Sequence, residues 1–244
     1  MFPLSDDNPR ERTPYITWIL IGACVLVYLW QVSLDLDGIE AAIYGFGMIP
    51  GRLFGAVELS AEFMVIPAWA TVFSSMFMHG GLLHLAGNML FLWVFGDNVE
   101  DSMGHNRFLV FYLACGIAAA MMQAVLNPAS TVPMIGASGA ISGVLGAYLL
   151  LHPYATVRVF IFLGLFATVT RVPAILVLGF WAVGQFISAA TTRLDQPGIA
   201  FWAHIGGFIA GMALVKLFKR SDVPLFQPQR SKPFSHEAVY RFLG

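Results

Sequence analysis

Charge is what this sequence has least of. Only 11% of its 244 residues are Asp, Glu, Lys or Arg, against roughly 25% in an average soluble domain. The formal net charge is −1, which excludes the broad basic surface that a nucleic-acid partner requires. Cysteine is almost absent. Cys24 and Cys115 both sit in apolar runs, so they give neither a disulfide framework nor a metal-ligand pattern. No cofactor or metal motif and no internal repeat is found. The N-terminus lacks a basic start leading into a cleavable apolar segment, so the first hydrophobic run reads as a retained span. Organelle-targeting composition is also missing, and the expected location is a prokaryotic plasma membrane.

What remains is apolar. Hydrophobic residues make up 58% of the chain and the mean hydropathy is +0.74, which places it among multi-pass membrane proteins. A span takes about 20 mostly apolar residues. Five runs meet that length: Pro14–Leu34, Leu82–Asp101, Phe108–Leu126, Val172–Ala190 and Ile199–Phe218. A sixth, Ser138–His152, is stopped by Pro153 and would be only about 22 Å long at 1.5 Å per residue. It serves as a span if its N-terminus begins below the membrane surface, inside the protein. Val159–Thr170, bounded by Arg158 and Arg171, is too short to cross and reads as an interfacial connector. The fold class is therefore an all-α, six-helix membrane bundle with a long, membrane-associated first loop over Asp35–Gly81. Three regions follow: a cytoplasmic N-terminal segment 1–13, polar from Ser5 to Arg12, the core 14–218, and a polar tail 219–244 expected to end in a short helix.

Basic residues set the orientation. With the N-terminus in the cytoplasm, the cytoplasmic side holds Arg10, Arg12, Arg107, Arg158, Arg171, Lys216, Lys219 and Arg220, and the opposite side only Arg52 and Arg193. Both termini are then cytoplasmic. This orientation puts Ser138 at the outer end of span 4, and His204 about a turn and a half below the outer end of span 6. His84 and Asn88 fall at the outer start of span 2. Four polar residues from three distant segments thus share one depth. An ionisable residue inside the membrane is costly and by default marks a functional site.

The residue types fit nucleophilic catalysis. A serine hydroxyl needs a base to take its proton, and histidine is the usual one. The backbone N–H groups of Ala137 and Ser138, with the side chains of His84 and Asn88, are candidate donors to an oxyanion. His84 and Asn88 are four apart and share a helix face. His204, Gly207 and Gly211 also lie on one face, as do Ser138, Ser142 and Gly146, and small residues let membrane helices approach closely. Span 6 is therefore expected to pack on span 4 with His204 opposite Ser138. Asp97 and Asp101 lie at the far end of span 2 and Asp195 in a short loop, so a serine–histidine dyad is the economical arrangement. His79, His105 and His152 sit near span ends and read as interfacial.

Three motifs, Gly136-Ala137-Ser138-Gly139, Ala203-His204-Ile205-Gly206-Gly207 with Gly211, and His84-Leu85-Ala86-Gly87-Asn88, resemble those of the rhomboid intramembrane serine proteases. Their order and the six-span layout are similar too, over roughly residues 14–218. The resemblance implies that Ser138 is the nucleophile and His204 the general base. His84 and Asn88 would help stabilise the oxyanion, and the substrates would be transmembrane proteins within the bilayer. Two positions differ from the family pattern. Ala70 follows Trp69 where many members have Arg, and Ser142 stands where some carry a Tyr stacked on the histidine. A non-catalytic scaffold of the same fold would have lost Ser138 or His204, and a transporter would carry polar groups along a path through the whole bilayer. This chain clusters them on one side.

Overall fold

The computed structural model describes residues 2–164, 166–192 and 198–229. Its elements run β1 (Phe2–Asp6), α1 (Tyr15–Val32), α2 (Leu36–Phe46), α3 (Pro50–Leu53), a 3₁₀ turn (Ala61–Phe63), α4 (Ala68–Ser74), α5 (Leu82–Met103), α6 (His105–Leu126), α7 (Ser138–Leu151), β2 (Thr156–Leu163), β3 (Phe166–Pro173), α8 (Ala174–Thr191) and α9 (Phe201–Phe218). Each of the six runs read as a span contains a helix, although Val172 and Pro173 at the start of the fifth belong to β3. Four of these helices, α1, α6, α8 and α9, are long and apolar enough to cross a membrane. The α5 helix is as long as α6 but carries Asp97, Glu100 and Asp101 in its last turns, and α7 has 14 residues.

The short α7 is the centre of the bundle. Nearly all of its side chains are buried, and it packs against α5, α6, α8 and α9. Its tightest partner is α9. A Cβ placed on Gly207 would stand 2.0 Å from the Gly139 carbonyl oxygen, and one on Gly211 would stand 1.9 Å from that of Gly143. The two backbones touch directly, and on α7 the closest contacts are made by Gly139 and Gly143, one position along from the Ser138–Ser142 face read from the sequence.

The first loop is ordered by helices and side-chain ties. Gln31 clasps the backbone of His79, donating to its carbonyl at 3.2 Å and accepting its N–H at 3.0 Å. Ser74 Oγ donates to Phe46 O at 2.6 Å. The Arg52 guanidinium donates to Ile66 O, so a cation from elsewhere in the loop anchors it, although Ala70 supplies none.

The far end of the bundle holds a small sheet that the sequence reading did not include. β2 and β3 form an antiparallel hairpin, and β1 joins it by pairing with β2. The segment read as an interfacial connector is therefore this hairpin. Its residues alternate, with Val157 and Val159 buried and Arg158 exposed between them, a period of two that suits a strand. Gly164, at φ +65°, makes the turn that other residues resist. Glu100 sits nearby, 1% exposed. It caps the start of α1, accepting from Ile16 N at 2.9 Å, Thr17 N at 2.8 Å and Thr17 Oγ1 at 2.7 Å. These orphan donors otherwise have no helical partner. The helix expected in the tail lies outside the described residues, as do Arg193 and Asp195.

Candidate active site

Ser138 begins α7, and His204 lies one turn into α9. The close backbone contact of these helices brings His204 Nε2 to 2.7 Å from Ser138 Oγ. That is hydrogen-bond distance for a hydroxyl and a base. The pair opens onto a cavity of 690 Å³ whose walls include His84, Asn88, Gly136, Ser138, Trp181 and His204. The four polar residues singled out by depth therefore share one cavity. Its lining among the described residues contains no Asp, Glu, Lys or Arg.

The segment leading into α7 is shaped by Gly136. Its φ of +126° is one that L side chains rarely adopt, and a Cβ there would lie 2.8 Å from both Cε1 and Nε2 of His84. Only glycine admits the imidazole edge so close. Gly136 N donates to Ser75 O at 2.8 Å, and Met48 and Met134 exchange backbone hydrogen bonds, so the first loop holds this segment in place. Gly139, the other glycine of the motif, is set against Ala119 of α6.

His84 is oriented by its own loop. Gly80 N donates to its Nδ1 at 3.3 Å, so the neutral ring carries its proton on Nε2, the nitrogen beside Gly136. Asn88 lies one turn along the same face. Its Nδ2 is buried and has no hydrogen-bond partner. A buried unpaired donor costs free energy, and here it borders the cavity. With the orphan N–H groups at the start of α7, these side chains form a donor set around Ser138.

A third side chain joins the pair. Gln185 of α8 places Oε1 2.7 Å from His204 Nδ1. In the sequence no carboxylate pattern points to this position, and an uncharged glutamine does not stand out. The available signal was one amide in an otherwise apolar run, four residues beyond Trp181. The histidine ring is flanked by Trp181, with centroids 6.1 Å apart and planes at 34°, and by Phe201 at 6.3 Å and 88°. These aromatics occupy the role open where Ser142 stands. Ser142 Oγ instead donates back to Ser138 O at 2.6 Å.

The other histidines lie apart from the pair. His79 and His152 are buried within the protein at 2% and 5% exposure. His79 packs against His84 at 5.2 Å, and burial, with His84 adding to it, pushes it down to about 4. His152 lies 3.3 Å from Ser102 Oγ, and His105 lies 2.6 Å from Glu100 Oε1, both at the far end.

A helical membrane bundle that sets a serine and a histidine together in a cavity between its helices defines the class. The chain belongs to the rhomboid family, whose domain model matches residues 67–221, and is a multi-pass integral membrane protein. Over 203 residues it is 37% identical to Rhomboid protease GluP of Bacillus subtilis, an alignment covering 83% of this chain and 34% of that protein. It is 28% identical over 207 residues to the mitochondrial Rhomboid protein 1 of Saccharomyces cerevisiae, covering 83% and 56%. It is 26% identical over 223 residues to the chloroplastic Rhomboid-like protein 11 of Arabidopsis thaliana, covering 87% and 68%. The chain thus spans about a third and just over half of the first two relatives.

Proposed function

We propose that this chain is an intramembrane serine endopeptidase that hydrolyses peptide bonds in or near transmembrane segments of other membrane proteins. The observation that carries the proposal is the 2.7 Å Ser138–His204 contact inside a cavity bordered by an unpaired Asn88 donor. In this reading His204 Nε2 takes the Ser138 proton as Oγ attacks the scissile carbonyl carbon. The tetrahedral oxyanion accepts hydrogen bonds from Asn88 Nδ2, His84 Nε2–H and the backbone N–H groups of Ala137 and Ser138. His204 then gives its proton to the leaving amine, and the peptide C–N bond breaks. Water enters, His204 takes its proton, and attack on the acyl carbon releases the new carboxyl group and restores Ser138.

The substrate helix must open locally to present a carbonyl, so helix-breaking residues near the scissile bond lower the cost. The catalytic core is proposed as residues 14–218 with six spans, α5 and the short α7 completing the four longer ones, between segment 1–13 and tail 219–244. Both termini are placed on the cytoplasmic side of a prokaryotic plasma membrane. The basic residues at the far end support the orientation, and the similarity to the Bacillus subtilis protein supports the membrane.

The test is covalent labelling with a fluorophosphonate probe alongside cleavage of a panel of transmembrane segments. Wild type is expected to be labelled and to cleave, and Ser138→Ala to do neither. Cleavage by purified Ser138→Ala protein would end the proposal.

A further inference from the structure

We infer that Gln185 is the positioning residue that fixes the tautomer of His204, so that a side chain of α8 completes the Ser138–His204 pair as a third member. This rests on the proteolytic reading of the site.

The geometry is a chain of two hydrogen bonds across three helices. Ser138 Oγ of α7 lies 2.7 Å from His204 Nε2 of α9, and His204 Nδ1 lies 2.7 Å from Gln185 Oε1 of α8. A neutral imidazole carries one proton, and the nitrogen that holds it is set by the partner of the other. The amide oxygen of Gln185 only accepts, so it holds the proton on Nδ1 and leaves the Nε2 lone pair facing the serine. The reverse tautomer would point an N–H at Ser138 and could not take its proton. Once Nε2 is protonated, the same amide oxygen faces an imidazolium, and a hydrogen bond to a charged donor is roughly twice as strong as a neutral one. The Gln185 contribution therefore grows toward the transition state, which is the condition for accelerating chemistry.

A neutral amide suits the place. Gln185 is half-buried on α8, and an uncharged amide oxygen there accepts from Nδ1 without the cost of burying a charge. Among the described residues, the groups facing His204 are Ser138 of α7 and His84 of α5, with Trp181 and Gln185 of α8. Trp181 and Gln185 are four apart and meet the ring from one helix face. The indole packs on the imidazole and the amide binds its Nδ1.

Three preparations test this. Gln185→Leu removes the acceptor at similar size, and kcat is expected to fall by about 10²-fold with KM nearly unchanged, the scale of a misdirected general base. Gln185→Glu keeps an acceptor and adds charge. It should keep substantial activity while the acidic limb of kcat/KM moves to higher pH by about one unit, because a carboxylate favours the imidazolium. A merely structural role would leave that limb unmoved. Long-range 1H–15N spectra of histidine-labelled Ser138→Ala protein, with the His204 signals assigned by their loss in His204→Ala, should show Nδ1 protonated, and this pattern should be lost on adding Gln185→Leu.

The inference is overturned by a kcat of Gln185→Leu within twofold of wild type at equal thermal stability. It is equally overturned by a Gln185→Glu profile that coincides with wild type, or by spectra with Nε2 protonated. Should Gln185→Leu fail to fold, the Gln185→Glu profile and the spectra decide. The spectra need no turnover, so they separate failure of this inference from failure of the proteolytic reading, which inactive wild-type protein would signal.

Discussion

Gly207 lies against the carbonyl oxygen of Gly139 so closely that an added Cβ would stand 2.0 Å from it. This contact fixes the distance between α9 and α7, and hence between His204 and Ser138. Any side chain at 207 has to push backbone, not a movable side chain.

The first prediction follows. Gly207→Leu should separate the helices and reduce cleavage on the order of 10²-fold, since a displacement of about 1 Å suffices for that. Gly179 of α8 has open space where its Cβ would go, so Gly179→Leu should keep activity near wild type. Cleavage is compared at equal expression and thermal stability. Full activity in Gly207→Leu together with loss in Gly179→Leu would mean that the α7–α9 contact does not set the site.

A second prediction concerns coupling within the pair. Ser138→Ala and His204→Ala should each abolish cleavage, and the double variant should be no worse than either, because both residues serve one proton transfer. Far-UV circular dichroism and melting in detergent should stay near wild type. Additive losses would place the two side chains in separate steps.

How much of this was legible in the sequence depends on the range of the interaction. The helices were, because apolar composition is a local signal and the breaks at Gly80-Gly81 and Pro153 are local too. The partnership of Ser138 and His204 was legible through small faces at helical spacing. The sheet was not. β1 is only five residues long and begins with Phe2-Pro3-Leu4, too short a run to announce a strand, and its strand character comes from pairing with residues such as Val159 and Phe160 far along the chain. Gln185 was missed for a related reason. An uncharged amide in an apolar run is ambiguous until the neighbouring helix shows what it meets. Glu100 is not singled out by its sequence context, and its burial and its bonds to α1 emerge only from packing.

A third prediction follows from that burial. Glu100→Ala strips the capping acceptor from Ile16 N and Thr17 N, and an unsatisfied buried donor costs about 1–3 kcal/mol. The variant should melt several degrees lower in detergent, while protein that remains folded keeps its cleavage rate because Glu100 lies at the opposite end from Ser138. An unchanged melting temperature would show that water replaces the cap.

Asn88 offers a fourth test. No protein group accepts from its Nδ2, so Asn88→Ala breaks no hydrogen bond to another part of the protein. The loss should fall on kcat, with KM little changed. Removal of one oxyanion donor typically costs about 10²–10³-fold, and the His84 and backbone donors soften it toward the lower figure. A change confined to KM would assign Asn88 to substrate binding.

The last prediction concerns the far end of the bundle, where Tyr148 of α7 donates its hydroxyl proton to Asp6 Oδ2 at 2.5 Å. Burial pushes the Asp6 carboxyl up from 3.8 to about 7, with Asp97 and Asp7 adding to the rise and the Tyr148 hydrogen bond opposing it. The groups facing Asp6 are thus Tyr148, Asp97 and Asp7, and Asp97 is itself paired with Arg10 at 2.9 Å. A carboxyl whose folded value lies above its unfolded value binds its proton more tightly in the folded state. The stabilisation is then complete below about pH 4 and is lost as pH rises through about 7. Melting temperature in detergent should therefore fall between about pH 4 and about pH 7, with amide protection in β1, corrected for the intrinsic exchange rate, falling over the same interval. Asp6→Asn keeps an acceptor for Tyr148 without the titration, so its melting temperature should change less with pH and exceed that of wild type at the alkaline end. Equal pH slopes in the two proteins would remove Asp6 as the origin of the effect.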